Sequence, residues 1–277
     1  MGVSLAWLAL SLIPRLGGKL FFTLIDHFGT PEAVLDAPTS ALREVRGIGE
    51  TTAHAIRSID LPALEAELAS WLAQGVQCVG YHDPAYPPLL KRIPDAPPTL
   101  FMRGQVQAWQ ARWHASVSIV GTREPSYEGM TFAMWHAYRR AQVGEVVVSG
   151  MALGIDTRAH YGALGAEGGF SVAVLGGGIL APYPTAEKNH GLAEKLLARG
   201  VLVCECAPSA PVSSTRLVAR NRLISGLSEA LVMVESEADG GAMHAVRFAM
   251  AQGRAVYAPD LPRSGNRHVL ANGGLRL

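Results

Sequence analysis

Six short apolar runs constrain this chain more than any other feature. They are SVSIVG (116–121), EVVVSG (145–150), FSVAVLGGG (170–178), GVLVCE (200–205), EALVMVES (229–236) and RAVYAP (254–259). Each is rich in β-branched residues and ends in Gly, Pro or a polar residue, which is the mark of strands buried on both faces. Helical segments lie between most of them. The alternation predicts an α/β protein: βα repeats forming a parallel sheet with helices on both faces. Right-handed crossovers then put all strand C-terminal ends on one edge, where ligands bind.

Ahead of these runs the pattern differs. Residues 1–75 read as a small all-helical domain, with Gly29 and Gly75 as helix stops. Within it, LREVRGIGETTAHAI (Leu42 to Ile56) matches the helix-hairpin-helix spacing. Its glycines allow a tight hairpin whose backbone N–H groups can meet a phosphate, or one kept for packing alone. Residues 76–112 are dense in proline and read as an extended linker. The strand-bearing domain is then 113–277.

Composition excludes more than it selects. With 17% charged residues and a net charge of +1, bulk charge names no partner, so any basic site must be local. Two stretches qualify: 103–123 carries Arg103, Arg112 and Arg123 without an acid, and 206–228 carries Arg216, Arg220 and Arg222 without one. The three cysteines, Cys78, Cys204 and Cys206, form no CxxC pair, which fits a reducing cytoplasm and predicts neither a disulfide framework nor a metal site. The opening MGVSLAWLALSLIP lacks a positive n-region and a cleavage site, and its apolar run stops at Pro14. It reads as a core helix, and no run reaches membrane-span length.

The strand ends gather the candidate site. Strand one delivers Gly121, Thr122 and Arg123; strand two delivers Ser149 and Gly150, then Gly154; strand three delivers Gly177 within a glycine triplet; strand five leads to Gly240 and Gly241. Glycine lets a backbone approach a ligand closely, and the helix N-termini that follow favour anions. Arg220, Asn221 and Arg222 sit at another helix entrance, with no acid between Glu205 and Glu229 to pair them. Both guanidiniums are therefore expected to await phosphates, the rival being that one caps strand-end carbonyls or pairs with Glu205 or Glu235. There is no GxxxxGK[ST] loop, and the first turn is GTREPS rather than GxGxxG, so neither a Walker nucleotidase nor a dinucleotide fingerprint is present. Arginines grip phosphate oxygens in a bidentate manner, which suits a polynucleotide. Asp156 reads as a helix N-cap, His160 as a packed histidine, and Glu205 and Glu235 as a base, a sugar acceptor or ordering groups. Tyr127, Tyr161 and Tyr183 lie near the strand ends, free to stack on bases or to pack. No catalytic residue, cofactor or metal is expected.

At these residues the chain resembles the DNA-processing protein A family, also called Smf, of bacterial natural transformation. The matching stretches are YPPLLKRIPDAPPTLFMRG, SIVGTREPSYEG, VVSGMALGIDTRAH, AVLGGGILAPYP, RNRLISGLSEALVMVE and AMAQGRAVYAP, in family order across roughly 81–260. The resemblance implies an extended Rossmann-like domain after a sterile-alpha-motif-like or helix-hairpin-helix one. It also implies a cytoplasmic, non-catalytic protein that binds single-stranded DNA, displaces single-strand-binding protein, loads RecA recombinase and dimerises through the Rossmann-like domain. Two departures stand out. Leu217 occupies the place where the family carries a base-stacking Phe. The helix after strand five opens Gly240-Gly241-Ala242-Met243-His244-Ala245-Val246, without the family's three hydroxyls. Many members also carry a winged helix beyond the sheet, where this chain ends at Leu277.

The competing class is an enzyme, a nucleoside-monophosphate phosphoribohydrolase, whose fold is similar. Aligning Gly240-Gly241 with that family's motif puts Arg247 where its catalytic Glu belongs. The reversed charge argues against glycosidic cleavage.

Overall fold

The computed structural model describes residues 3–180 and 189–277. Tyr183 lies outside the described residues. The chain opens with six helices: α1 (Leu5–Ser11), α2 (Gly18–Phe28), α3 (Pro31–Asp36), α4 (Thr39–Glu44), α5 (Glu50–Arg57) and α6 (Leu61–Ala73). Sequence signals set their ends. Thr30 caps α3 ahead of Pro31, and Asp60 caps α6 ahead of Pro62. Gly29 and Gly75 adopt positive φ just past α2 and α6. The α4–α5 pair forms the expected hairpin. Gly47 takes φ +98° there and packs under the Leu20 side chain.

The remainder builds one sheet. Its strands are β1 (Gln77–Gly80), β2 (Thr99–Gly104), β3 (Ser116–Val120), β4 (Val146–Ser149), β5 (Ser171–Val174), β6 (Gly200–Cys204), β7 (Ala230–Met233), β8 (Ala255–Ala258) and β9 (Leu275–Arg276). The order among the described residues is β1-β2-β6-β5-β4-β3-β7-β8-β9. From β6 to β9 every pairing is parallel; β2 runs antiparallel to both β6 and β1. All six runs read as strands are strands. The linker reading of 76–112 is corrected: this stretch supplies β1, β2, a 3-10 turn at Leu90–Arg92 and α7 (Val106–Gln110). Its prolines occupy the connection between β1 and β2, leaving the ladders intact.

Side-chain alternation loads both faces of the sheet. Val146, Val148, Val172, Val174, Val201 and Val203 join one core, which also takes Leu223 and Ile224 of α12 (Asn221–Gly226) and Val246 of α13 (Ala242–Ala251). On the opposite face, Ile119, Val147 and Val232 meet Ala133 and Ala137 of α8 (Tyr127–Gln142) and Ala159 and Ala163 of α9 (Ile155–Gly165). The small residues let α8 and α9 approach closely: a Cβ on Gly162 would collide with the Met134 carbonyl. Further along that face, Leu8 of α1 and Trp71 of α6 share a core with Phe101, Ala173 and Leu202. The helical region is therefore packed on the sheet.

Strand order reverses beside β3. β4, β5 and β6 extend from one side of it, and β7 returns to the other. α10 (His190–Arg199) leads into β6, the returning chain passes from β6 to β7 through α11 (Ser214–Ala219) and α12, and the fold ends with α14 (Ser264–Ala271) ahead of β9. Such a reversal leaves a crevice outside the strand C-terminal ends.

Candidate functional site

A cleft of about 570 Å³ occupies that crevice. Four segments wall it: the β3–α8 loop through Arg123 and Glu124, the β4–α9 loop at Ala152, the α11–α12 corner at Leu217, Arg220 and Asn221, and the β7–α13 loop from Ser236 to Gly241. It brings together Gly121, Thr122, Arg123, Leu217, Arg220, Asn221, Gly240 and Gly241 of the expected set.

The expected site residues Ser149, Gly150, Gly154, Gly177 and Arg222 are held by the protein itself and do not line the cleft. The Ser149 hydroxyl is fully buried and donates to the Ile119 carbonyl at 2.6 Å. Gly150 has no room for a Cβ because the Arg220 guanidinium lies against it. Gly154 takes φ +82° and lies against the Thr122 and Arg123 carbonyls. Gly177 is covered by the Val212 backbone. These glycines admit neighbouring chain, the same need a ligand imposes.

The arginine pair is corrected in its electrostatics. Each guanidinium has internal partners, while Arg220 Nε and Arg222 Nη1 are buried without a hydrogen-bond partner. Arg220, 7% exposed, donates to the Gly150 carbonyl and, at 2.5 Å, to the Val174 carbonyl. It thus ties together the ends of β4 and β5, 4.0 Å from the Asp156 carboxylate. Arg222 pairs with Glu205 at 2.6 Å and Asp95 at 2.9 Å. Glu205, at β6's end, is the partner the rival reading named, whereas Asp95 of the proline-rich segment was not anticipated.

The acidic candidates likewise order the site. Asp156 is not the N-cap of α9, a place Gly154 holds. Its carboxylate instead accepts from the Gly150 and Ala152 amides at 3.2 and 3.3 Å. Burial raises its pKa, and Arg220 opposes that rise. Glu235, 2% exposed, accepts from the Ser126 amide and hydroxyl at 2.9 and 3.0 Å and from Arg263 at 2.6 Å. Since Ser126 caps α8, this carboxylate fixes both the β3–α8 loop and the start of α14. Glu205 is the Arg222 partner. His160 is packed, as expected: its Nδ1 meets the Ser171 hydroxyl at 2.8 Å, and that hydroxyl donates to the Val147 carbonyl. The proton therefore sits on Nδ1. Burial, with Arg220 nearby, holds its pKa at about 3, so the ring stays neutral near pH 7.

What remains at the cleft surface is Arg123. It is exposed and has no carboxylate partner among the described residues. Opposite it opens the N-terminus of α13, with Gly241 in the N-cap place. Leu217 supplies an apolar wall and packs on Gly176. Glu124, Glu237 and Asp239 also line the cleft and escaped sequence reasoning. Glu237 is engaged by Arg263 and Ser264. Their one sequence signal is adjacency to the glycine turns.

Comparison with known proteins places this fold among relatives. Residues 77–274 match the model of a family described as DNA recombination-mediator protein A. The chain is 32% identical to protein Smf of Synechocystis over 96% of its own length and 67% of that protein's. It is also 32% identical to protein Smf of Escherichia coli, over 91% and 65%. It thus spans about two thirds of the length of these curated relatives. The structure of DNA processing protein A from Streptococcus pneumoniae superposes with a TM-score of 0.84 at 24% identity, covering 100% of this chain and 95% of that one. That of Helicobacter pylori, from work on that protein's single-stranded DNA binding mode, gives 0.65 at 22% identity, over 73% and 90%. With a matching family model over most of the sheet-bearing chain and relatives that run nearly its whole length, this protein belongs to the DNA recombination-mediator protein A (DprA/Smf) family.

Proposed function

We propose that this chain binds single-stranded DNA in the switch-point cleft and passes it to the RecA recombinase. Family membership supports the recombination setting, and the Helicobacter pylori relative supports the strand type. The observation that carries the reading is Arg123: a solvent-facing guanidinium without an internal partner among the described residues, on a cleft whose other arginine is tied to backbone carbonyls. A phosphate of the strand sits at Arg123, another at the α13 N-terminus, and bases pack over Leu217. Arg220 and Asn221 enter this reading as the floor that keeps the cleft open, and Arg222 as a brace behind it. Among the described residues no basic recognition helix is offered to a duplex groove. Displacement of single-strand-binding protein and self-association through the sheet domain belong to the same proposal.

The test is a salt titration of oligo-dT and blunt-duplex binding by fluorescence anisotropy. Oligo-dT is expected to bind more tightly. Arg123→Ala is expected to weaken binding equally across sequences and to lower the salt slope by about 0.7, one phosphate's worth on a single strand. An unchanged slope in a folded variant removes Arg123 from the site. Tighter duplex binding, or base release from AMP or CMP, overturns the reading in favour of a groove binder or a nucleotide hydrolase.

A further inference from the structure

The geometry points to a second element of strand binding, resting on the cleft reading above: the solvent face of α8 is a stacking track for single-stranded nucleic acid as it leaves the cleft. Gly129, Ala133, Ala137 and Ala141 form the buried face of this helix. Helical periodicity puts Tyr127, Thr131, Trp135 and Tyr138 on the side away from it. Their exposure is unusual for aromatic rings: Tyr127 is 80% exposed, Trp135 56% and Tyr138 37%. The other four tryptophans, Trp7, Trp71, Trp109 and Trp113, are buried or half-buried. Tyr127 to Tyr138 covers about 17 Å of helix at about 1.5 Å per residue, room for more than one nucleotide.

Three observations choose the occupant. The track is continuous with the cleft, because Tyr127 directly follows the loop that carries Arg123 and ends at the capping Ser126. It carries a free cation: the Arg139 guanidinium lies 5.2 Å from the Trp135 ring centre and has no carboxylate partner among the described residues, whereas Arg140 pairs with Glu145. An indole beside a free guanidinium is the pairing that holds a base and its phosphate together. Aliphatic surface is limited to Met134 and, past the helix end, Val143, too little for a protein-docking face. Glu128, the one acid of the helix, lies in its first turn, where it complements the helix dipole.

The full chain is titrated with oligo-dT of increasing length, reading anisotropy and tryptophan fluorescence together. Affinity is expected to rise with length beyond what fills the cleft. Long oligonucleotides should quench the fluorescence; the shortest should not. Trp135→Ala should cost about tenfold in affinity for long oligonucleotides only, near the low end for one lost base stack. Trp135→Phe should retain that affinity and lose the quench. The site is on the surface, so a thermal melt confirms that both variants fold. Equal affinity of wild type and Trp135→Ala at every length overturns the track while leaving the cleft reading intact. So does intact DNA affinity with lost self-association in Trp135→Ala, which marks a protein-docking face. Absence of oligo-dT binding at any length removes the cleft reading, and the track with it.

Discussion

Arg220→Ala is expected to destabilise the fold by about 3–5 kcal/mol, the range for removing one partner of a buried ion pair. Two carbonyls, of Gly150 and Val174, lose their donor at once, and Asp156 is left buried without its cation. The pH dependence identifies the cause. Burial already raises the Asp156 pKa in the native state, so the carboxyl holds its proton more readily folded than unfolded. Such a group contributes stability below its unfolded pKa and loses it as pH rises through the folded value. Removing Arg220, which opposes the rise, extends that loss further upward. The deficit of Arg220→Ala against wild type should therefore grow from the ordinary carboxylate range towards neutrality and shrink on acidification. Denaturant melts at pH 5 and pH 8 read this directly. A variant that melts like wild type yet binds oligo-dT weakly makes Arg220 a strand contact and removes its role as a strut.

Gly162→Ala is the second large effect. A Cβ there meets the Met134 carbonyl and the Ala137 methyl, with no flexible side-chain end to yield. The two helices must separate, and overpacking of this kind costs roughly 1–3 kcal/mol, at the upper end here because backbone has to move. Alanine would be favoured over glycine by helix propensity alone, by about 1 kcal/mol. The sign of the change in melting midpoint therefore decides between propensity and packing. A stabilised variant shows that α8 and α9 sit further apart than described.

Much of the fold was legible because burial on both faces writes itself into sequence. Val146, Val147 and Val148 run apolar without a break since alternate side chains enter different cores. β1 and β2 were not legible. QCVG is short and half-buried, and TLFMRG follows a pair of prolines whose local meaning is loop. β2 takes its strand character from the β6 edge, a partner far along the chain, and β1 in turn pairs with β2. β9, two residues long, carries no periodicity. The candidate site was legible as a place and not as a list. Glycine marks close approaches, but Gly150, Gly154 and Gly240 admit protein where Gly241 borders open cleft. Arg222 pairs with Glu205, as the rival reading had it, and with Asp95, which no local signal ties to it.

The shared core beneath α1 and α6 has a practical consequence for dissecting this protein. A cut between residues 75 and 76 follows the most natural reading of the sequence, yet it removes Leu8 and Trp71 from Phe101, Ala173 and Leu202. Trp71 and Phe101 meet edge to face at 5.6 Å. The sheet fragment would emerge with a bare aromatic and aliphatic patch, the kind of surface that drives precipitation. Its expected behaviour on size exclusion is a void-volume peak, against a discrete species for the intact chain. A mutational program aimed at the cleft alone is therefore better served by the whole chain than by its better-looking half.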